Sequence, residues 1–145
     1  MKRSYLFMLL SLMLMTGCSP QTYQHFDYNK SSNPWIDAFK DQVFFSCLRE
    51  GYKSDSLFNA IEKKDALNPY DGLELEALNL ARSLGKTLVK NMQPPSMCDG
   101  CKTGMNYYMA NALHYYNSKE LDSIAHKAYK KHIAGEKDFD AALKK

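Results

Sequence analysis

The 145-residue chain is poor in several things that common functional classes need. It has one tryptophan, five prolines and four cysteines. Its longest apolar run is too short to span a bilayer as a helix. It has no glycine-rich phosphate loop, and no nucleophilic side chain stands in an evident pairing with a base. No stretch alternates apolar and polar residues for long enough to read as a strand. A surplus of positive charge is missing as well. The formal net charge is +3, and residues 1–17 hold Lys2 and Arg3 and no acid, so the remainder carries 17 basic against 16 acidic residues, a net of +1. Nothing here resembles a nucleic-acid footprint. The late lysines (Lys127, Lys130, Lys131, Lys144, Lys145) are interleaved with Glu136, Asp138 and Asp140 and read as a solvated helix face.

What the chain does have starts at its beginning. Lys2 and Arg3 precede an apolar run over Tyr5–Met15, broken by Ser11, and Thr16-Gly17-Cys18 closes it with small residues and a thiol. This is the pattern of a secretory signal over residues 1–17. Its ending resembles a bacterial lipobox, which makes Cys18 the candidate for lipid modification. Ordinary cleavage nearby, with Cys18 incidental, is the competing reading. Either way the compartment is the periplasm. A lipid on Cys18 anchors the protein to the inner face of the outer membrane, or to the inner membrane. Residues 18–32 are polar, without steady periodicity, and read as a tether.

The next segment, residues 33–135, reads as one all-α domain, a compact bundle of about five helices. Asn33-Pro34 is a helix start, with asparagine as cap and proline at the first position. Ile36, Phe39, Val43 and Cys47 follow at helical spacing, up to a stop near Gly51. Ser54 caps a second helix running to about Leu67, where Asn68-Pro69 ends it. Leu73, Ala77, Leu80/Ala81, Leu84, Leu88 and Met92 mark a long third helix. Gly85 lies in its middle, where it costs about 1 kcal/mol against alanine, and close approach of another helix is the expected compensation. Met105, Tyr108 or Met109, Ala112 or Leu113, and Tyr116 mark a fourth. Ser118 caps a fifth, whose buried stripe runs through Leu121, Ile124/Ala125, Ala128/Tyr129, His132 and Ile133 to a stop at Gly135. Residues 136–145 read as a polar tail.

Between the third and fourth helices, Asn91–Asn106 breaks the pattern. Pro94-Pro95 forbids helix, and Asp99-Gly100 is a turn dipeptide between Cys98 and Cys101. A loop this long in a small domain is usually functional or pinned by a cross-link. With Cys18 set aside, three thiols remain in an oxidising compartment: Cys47, Cys98 and Cys101. One disulfide from Cys47 to Cys98 or Cys101 would tie the loop to the first helix and add about 3–4 kcal/mol. A local Cys98–Cys101 bridge is the alternative. The Cys98–Cys101 spacing also occurs in thiol oxidoreductases, but those set it at a helix start beside a strand, and no such pattern surrounds it. A zinc site built from these cysteines and His114, His126 or His132 matches no ordinary spacing. The histidines lie on helical stretches and read as structural. No cofactor is implied. Most of the tyrosines at 107, 108, 115, 116 and 129 belong in the core, and any left exposed would anchor a protein interface.

Two segments carry a family resemblance: Phe44-Phe45-Ser46-Cys47-Leu48-Arg49-Glu50-Gly51-Tyr52-Lys53 and Tyr115-Tyr116-Asn117-Ser118-Lys119-Glu120-Leu121-Asp122-Ser123-Ile124. At this separation they resemble the immunity proteins that neutralise type VI secretion amidase effectors of the fourth family, over roughly Trp35–His132. The resemblance implies a small, exported, helical homodimer that performs no chemistry. It implies a partner as well, a papain-like peptidoglycan amidase whose catalytic cleft the protein occludes. One departure stands out. The family pattern places a second cysteine shortly before the Ser-Lys-Glu-Leu-Asp segment, where this chain has Ala112, and Cys98 and Cys101 lie in the loop instead.

An inhibitor of a cleft needs a projecting element and a flatter patch that excludes water around it. The expected projecting element is Asn91–Asn106, with Ser96, Met97, Asp99 and Lys102 as contact candidates. The expected dimer surface is an apolar patch of the second and third helices. Composition alone suits a scaffold lipoprotein of the envelope equally well. The two matching segments are what favour immunity.

Overall fold

Asn33 does what its position predicts. Its side-chain oxygen accepts a hydrogen bond from the Ile36 amide at 3.1 Å, and Pro34 opens helix α1, Pro34–Tyr52. The computed structural model describes residues 32–64, 72–95, 100 and 102–144. Within them the chain is all-helical, with no strand. After α1 come α2 (Asp55–Glu62), α3 (Leu75–Asn91), α4 (Tyr108–Tyr116) and α5 (Lys119–Leu143). Ser54 and Ser118 cap α2 and α5, accepting from the Leu57 and Leu121 amides at 3.4 and 3.1 Å. The signal, Cys18 and nearly all of the tether lie outside the described residues, as do Asn68-Pro69, Ser96, Met97, Cys98, Asp99 and Cys101.

The architecture is a bundle gathered around α1. Helices α3, α4 and α5 all pack on it. Its buried face holds Trp35, Ile36, Ala38, Phe39, Val43, Cys47 and Leu48. The core therefore runs as a ribbon along α1 in two parts. Trp35 to Val43 pack with Leu73, Ala77, Ala81, Leu121 and Ala125. Cys47 and Leu48 pack with Phe58 of α2 and Ala112 of α4. Full burial of a side chain such as Phe39 contributes about 1.5–3 kcal/mol. Trp35 stacks on Phe39 and on His132, with ring centres 5.7 and 5.3 Å apart. Its indole N–H is buried without a hydrogen-bond partner.

The small residues of α3 explain its closeness to α1. Ala77, Ala81 and Gly85 repeat every fourth position and are all buried. A Cβ on Gly85 would lie 2.6 Å from the Cys47 backbone nitrogen and 2.7 Å from the Val43 carbonyl oxygen. The glycine inside a helix is thus compensated by backbone-to-backbone contact, as expected.

Helix α1 ends at Tyr52, near Gly51 as expected. Lys53 takes the left-handed conformation, φ 46°, and its N–H closes the helix on the Arg49 carbonyl. Gly51 also serves as a seat for Tyr108, whose ring would be 2.6 Å from an added Cβ. Two other boundaries differ from expectation. Helix α2 ends at Glu62, short of Leu67, in a turn closed by the Lys64 N–H on the Ile61 carbonyl. Helix α5 runs through Gly135 to Leu143, so the expected tail is helical up to that point. Nothing lies within 4 Å of a Cβ built at Gly135, and its neighbours Glu136, Lys137, Ala141, Ala142 and Leu143 are ordinary helix formers. A single glycine weakens such a helix without ending it.

Candidate functional site

The cysteine that the sequence makes most conspicuous is sealed. Cys47 has no exposed surface and its thiol is free. The expected tie from Cys47 to the loop is therefore absent from this structure. Burial pushes the thiol pKa up to about 11, so Cys47 is neither a nucleophile nor a metal ligand at neutral pH. Among the described residues no three His, Cys, Asp or Glu side chains gather as a metal site. His114 and His126 are exposed. His132 is mostly buried, with Nδ1 3.1 Å from a Glu74 carboxylate oxygen and Nε2 3.7 Å from one of Glu136. It clasps the start of α3 to α5, a structural task. A second polar pair works similarly. Tyr116 hydrogen-bonds the half-buried Asp41 on α1. Burial raises the pKa of both groups, and the Asp41 charge raises that of Tyr116 further.

Hydrogen bonds organise the described part of the loop at its base. The Asn106 side-chain amide donates to the Gln93 carbonyl at 3.3 Å and joins the two limbs. The Met105 N–H donates to the Lys102 carbonyl at 3.0 Å, and the Tyr108 hydroxyl donates to the Gly104 carbonyl at 3.2 Å. Gly100 and Gly104 both take positive φ, 90° and 89°, which fits a tightly turning return limb. Lys102 is exposed on that limb. Of the four contact candidates it alone falls among the described residues.

Beside the loop the structure decides between the pairs that helical periodicity left open, Tyr108 or Met109 and Ala112 or Leu113. Ala112 is the buried residue, and Tyr108, Tyr115 and Tyr116 are partly covered. Met105, Tyr107, Met109 and Leu113 are 54, 54, 50 and 51% exposed. Helix α4 carries more apolar side chains than α1 can cover, and the surplus faces out. A separate shallow depression of about 450 Å³ lies between Pro94-Pro95, Met92, Tyr107 and Asn111 at the loop base. Met105, Met109 and Leu113 recur at four-residue steps, and exposed methionine and leucine side chains at such spacing suit a protein-binding surface. By contrast, Leu57, Leu75 and Leu80 of α2 and α3 are each exposed without such a setting.

Both resemblance segments frame α4. Phe44–Lys53 is the second half of α1, which seats Tyr108 on Gly51 and sets the Tyr52 ring 5.7 Å from that of Tyr108. Tyr115–Ile124 is the α4–α5 corner, closed by Asn117 and Ser118.

A different depression lies between α1, α2 and α3. It encloses about 640 Å³ and is lined by Gln42, Phe45, Ser46, Arg49, Glu50, Glu62, Arg82 and Lys86. Arg49 is paired with Glu62 there. Periodicity along one helix does not reveal it, because three helices build it.

Among the described residues no helix is long and apolar enough to cross a membrane. No protein-family model, curated protein or solved structure matches the chain.

Proposed function

We propose that this protein is an exported, lipid-anchored immunity protein that binds a peptidoglycan-cleaving cysteine amidase and covers its catalytic cleft. The observation that carries the reading is the outward face of α4 beside the loop. Met105, Met109 and Leu113 recur at four-residue steps as an exposed apolar platform, and a hydrogen bond from Asn106 to Gln93 joins the limbs of the adjacent loop. The loop tip, with Ser96, Met97, Asp99 and Lys102, enters the cleft, and the platform excludes water around it. Binding alone suffices, and the protein itself catalyses nothing.

The resemblance of Phe44–Lys53 and Tyr115–Ile124 to the amidase immunity family supports this reading, since both segments hold α4 in place. With Cys47 free and sealed, a local Cys98–Cys101 bridge is the cross-link that would stiffen the tip and reduce the ordering cost of binding. A homodimer, a lipid on Cys18 and a periplasmic location complete the proposal.

The test is capture from the producing organism's periplasm with the tagged protein, followed by an amidase assay on the complex. A small papain-like amidase, silent while bound, is the expected catch. A folded bait that recovers no peptidoglycan hydrolase sinks the proposal and leaves the scaffold lipoprotein.

A further inference from the structure

The depression between α1 and α3 has a feature that the immunity reading does not use. Arg82, Lys86 and Lys90 follow one another at four-residue steps along an exposed shoulder of α3. None of the three makes an ion pair among the described residues, although Lys40, Arg49, Lys53 and Lys131 all do. Arg82 and Lys86 line the larger depression, across from Phe45 and Ser46 of α1. They also line its shallower continuation, about 520 Å³, which Asn79, Ser83, Thr87 and Lys90 complete. Three cations with no ion pair among the described residues, interleaved with hydroxyl and amide groups, thus border one continuous trough. The loop-base depression uses the other shoulder of α3, through Leu88, Asn91 and Met92, so the two surfaces share no residue.

The spacing selects the occupant. Four residues of helix rise about 6 Å, so the three cations recur at about that interval. Alternate side chains of an extended chain recur at about 6.6 Å on one face. An extended segment with acidic residues at every second position therefore sets one carboxylate near each cation. Its backbone would lie against Ser83, Thr87 and Asn79, which supply hydrogen bonds. A flat lipid surface fits less well, because the larger depression is concave, walled by three helices. Single-stranded nucleic acid binds through stacking platforms, and Phe45 is the trough's lone aromatic side chain. We infer that the trough bordered by Arg82, Lys86 and Lys90 is a docking site for an extended acidic segment of a protein partner, separate from the α4 platform.

The inference is tested by titrating isotope-labelled full-length protein, in nonionic detergent at low ionic strength, with a synthetic peptide of alternating aspartate and serine. Amide shifts confined to Asn79–Lys90 and Phe45–Arg49 are expected. The double variant Arg82→Glu/Lys86→Glu should bind about tenfold more weakly or worse, since both cations face the ligand. A control with the same charge change on α5, Lys127→Glu/Lys130→Glu, should stay within about twofold, because its charges are remote and screened. Absent shifts, shifts elsewhere, or equal weakening in the control would overturn the inference. So would tighter binding at the trough by oligothymidylate or by phosphatidylglycerol vesicles. None of these readouts involves an amidase, so the outcome is independent of the immunity reading.

Discussion

Gly85 of α3 rests directly on the backbone of Cys47 in α1, and a Cβ placed there would lie 2.6 Å from the Cys47 nitrogen. Two opposing effects meet at this position. Replacing glycine by alanine in a helix interior gains about 1 kcal/mol of intrinsic propensity. The added methyl meets main chain, which cannot rotate away. Overpacking of this kind costs about 1–3 kcal/mol, and here it acts on the contact that joins α1 and α3. Gly85→Ala should therefore destabilise the protein despite its better helix propensity. Denaturant unfolding checks this, and a midpoint equal to or above that of the parent would contradict it.

Cys47 gives a prediction in pH. Its folded pKa is raised from 9.0 to about 11 by burial. A raised acid favours the folded state while protonated. Its contribution is complete below pH 9 and disappears as pH climbs through about 11. Tyr115 and Tyr116, also raised by burial, act in the same direction at higher pH. Thermal stability should thus fall steeply on the alkaline side, and Cys47→Ala should flatten the first part of that fall. In the native protein a disulfide-exchange reagent at pH 8 should leave Cys47 unmodified until denaturant is added.

Asp41 and Tyr116 make a further test. The Asp41 pKa is raised, with burial as the main cause, so ionising the carboxyl costs the folded state at neutral pH. Asp41→Asn removes that cost and keeps an acceptor for the Tyr116 hydroxyl. It should leave stability at pH 7 unchanged or higher. Tyr116→Phe should lower it by about 1–3 kcal/mol, because a partly buried carboxylate loses its donor. Paired unfolding curves at pH 7 decide between these outcomes.

The α4 platform separates binding from stability. Met109→Asp and Leu113→Asp change half-exposed side chains, so each should shift stability by less than about 0.5 kcal/mol. If the platform seals an amidase cleft, each should weaken inhibition by a factor of about 10 or more, the penalty of a charge at the centre of an interface. Inhibition by both variants at parental strength would remove the platform from the interface.

The end of α5 is a helix with little to hold it. Phe139 and Leu143 are 65 and 70% exposed. Deleting residues 137–145 keeps Glu136 beside His132 and should change stability by less than about 0.5 kcal/mol. Far-UV circular dichroism should lose about two helical turns. A large drop in Tm would show that these residues pack against something.

The caps were readable in the sequence. Asn33, Ser54 and Ser118 each have a side-chain oxygen at the position where an orphan amide needs one, and local chemistry decides that contest. Gly85 was readable for a related reason, because a costly residue in a strongly periodic helix implies a tertiary compensation. The face of α4 was not. Met105, Tyr108, Met109, Ala112, Leu113 and Tyr116 distribute apolar surface around much of the helix, so periodicity could not choose which ridge α1 would cover. Gly135 misled for the opposite reason. A glycine late in a helix suggests a cap, yet this one lies within a continuing helix. The Arg82–Lys86 trough needs three helices in place before it exists.

The arrangement around α1 bears on how this domain would respond to tension. The chain enters at Ser32, and within three residues it reaches Trp35, which is 3% exposed and stacked on Phe39. A pull on the preceding segment is therefore loaded onto the helix that every major neighbour grips. Mechanical release would have to shear α1 past α3 and α5 together. A domain hung from a membrane by its leading end would have its strongest grip at the point of attachment.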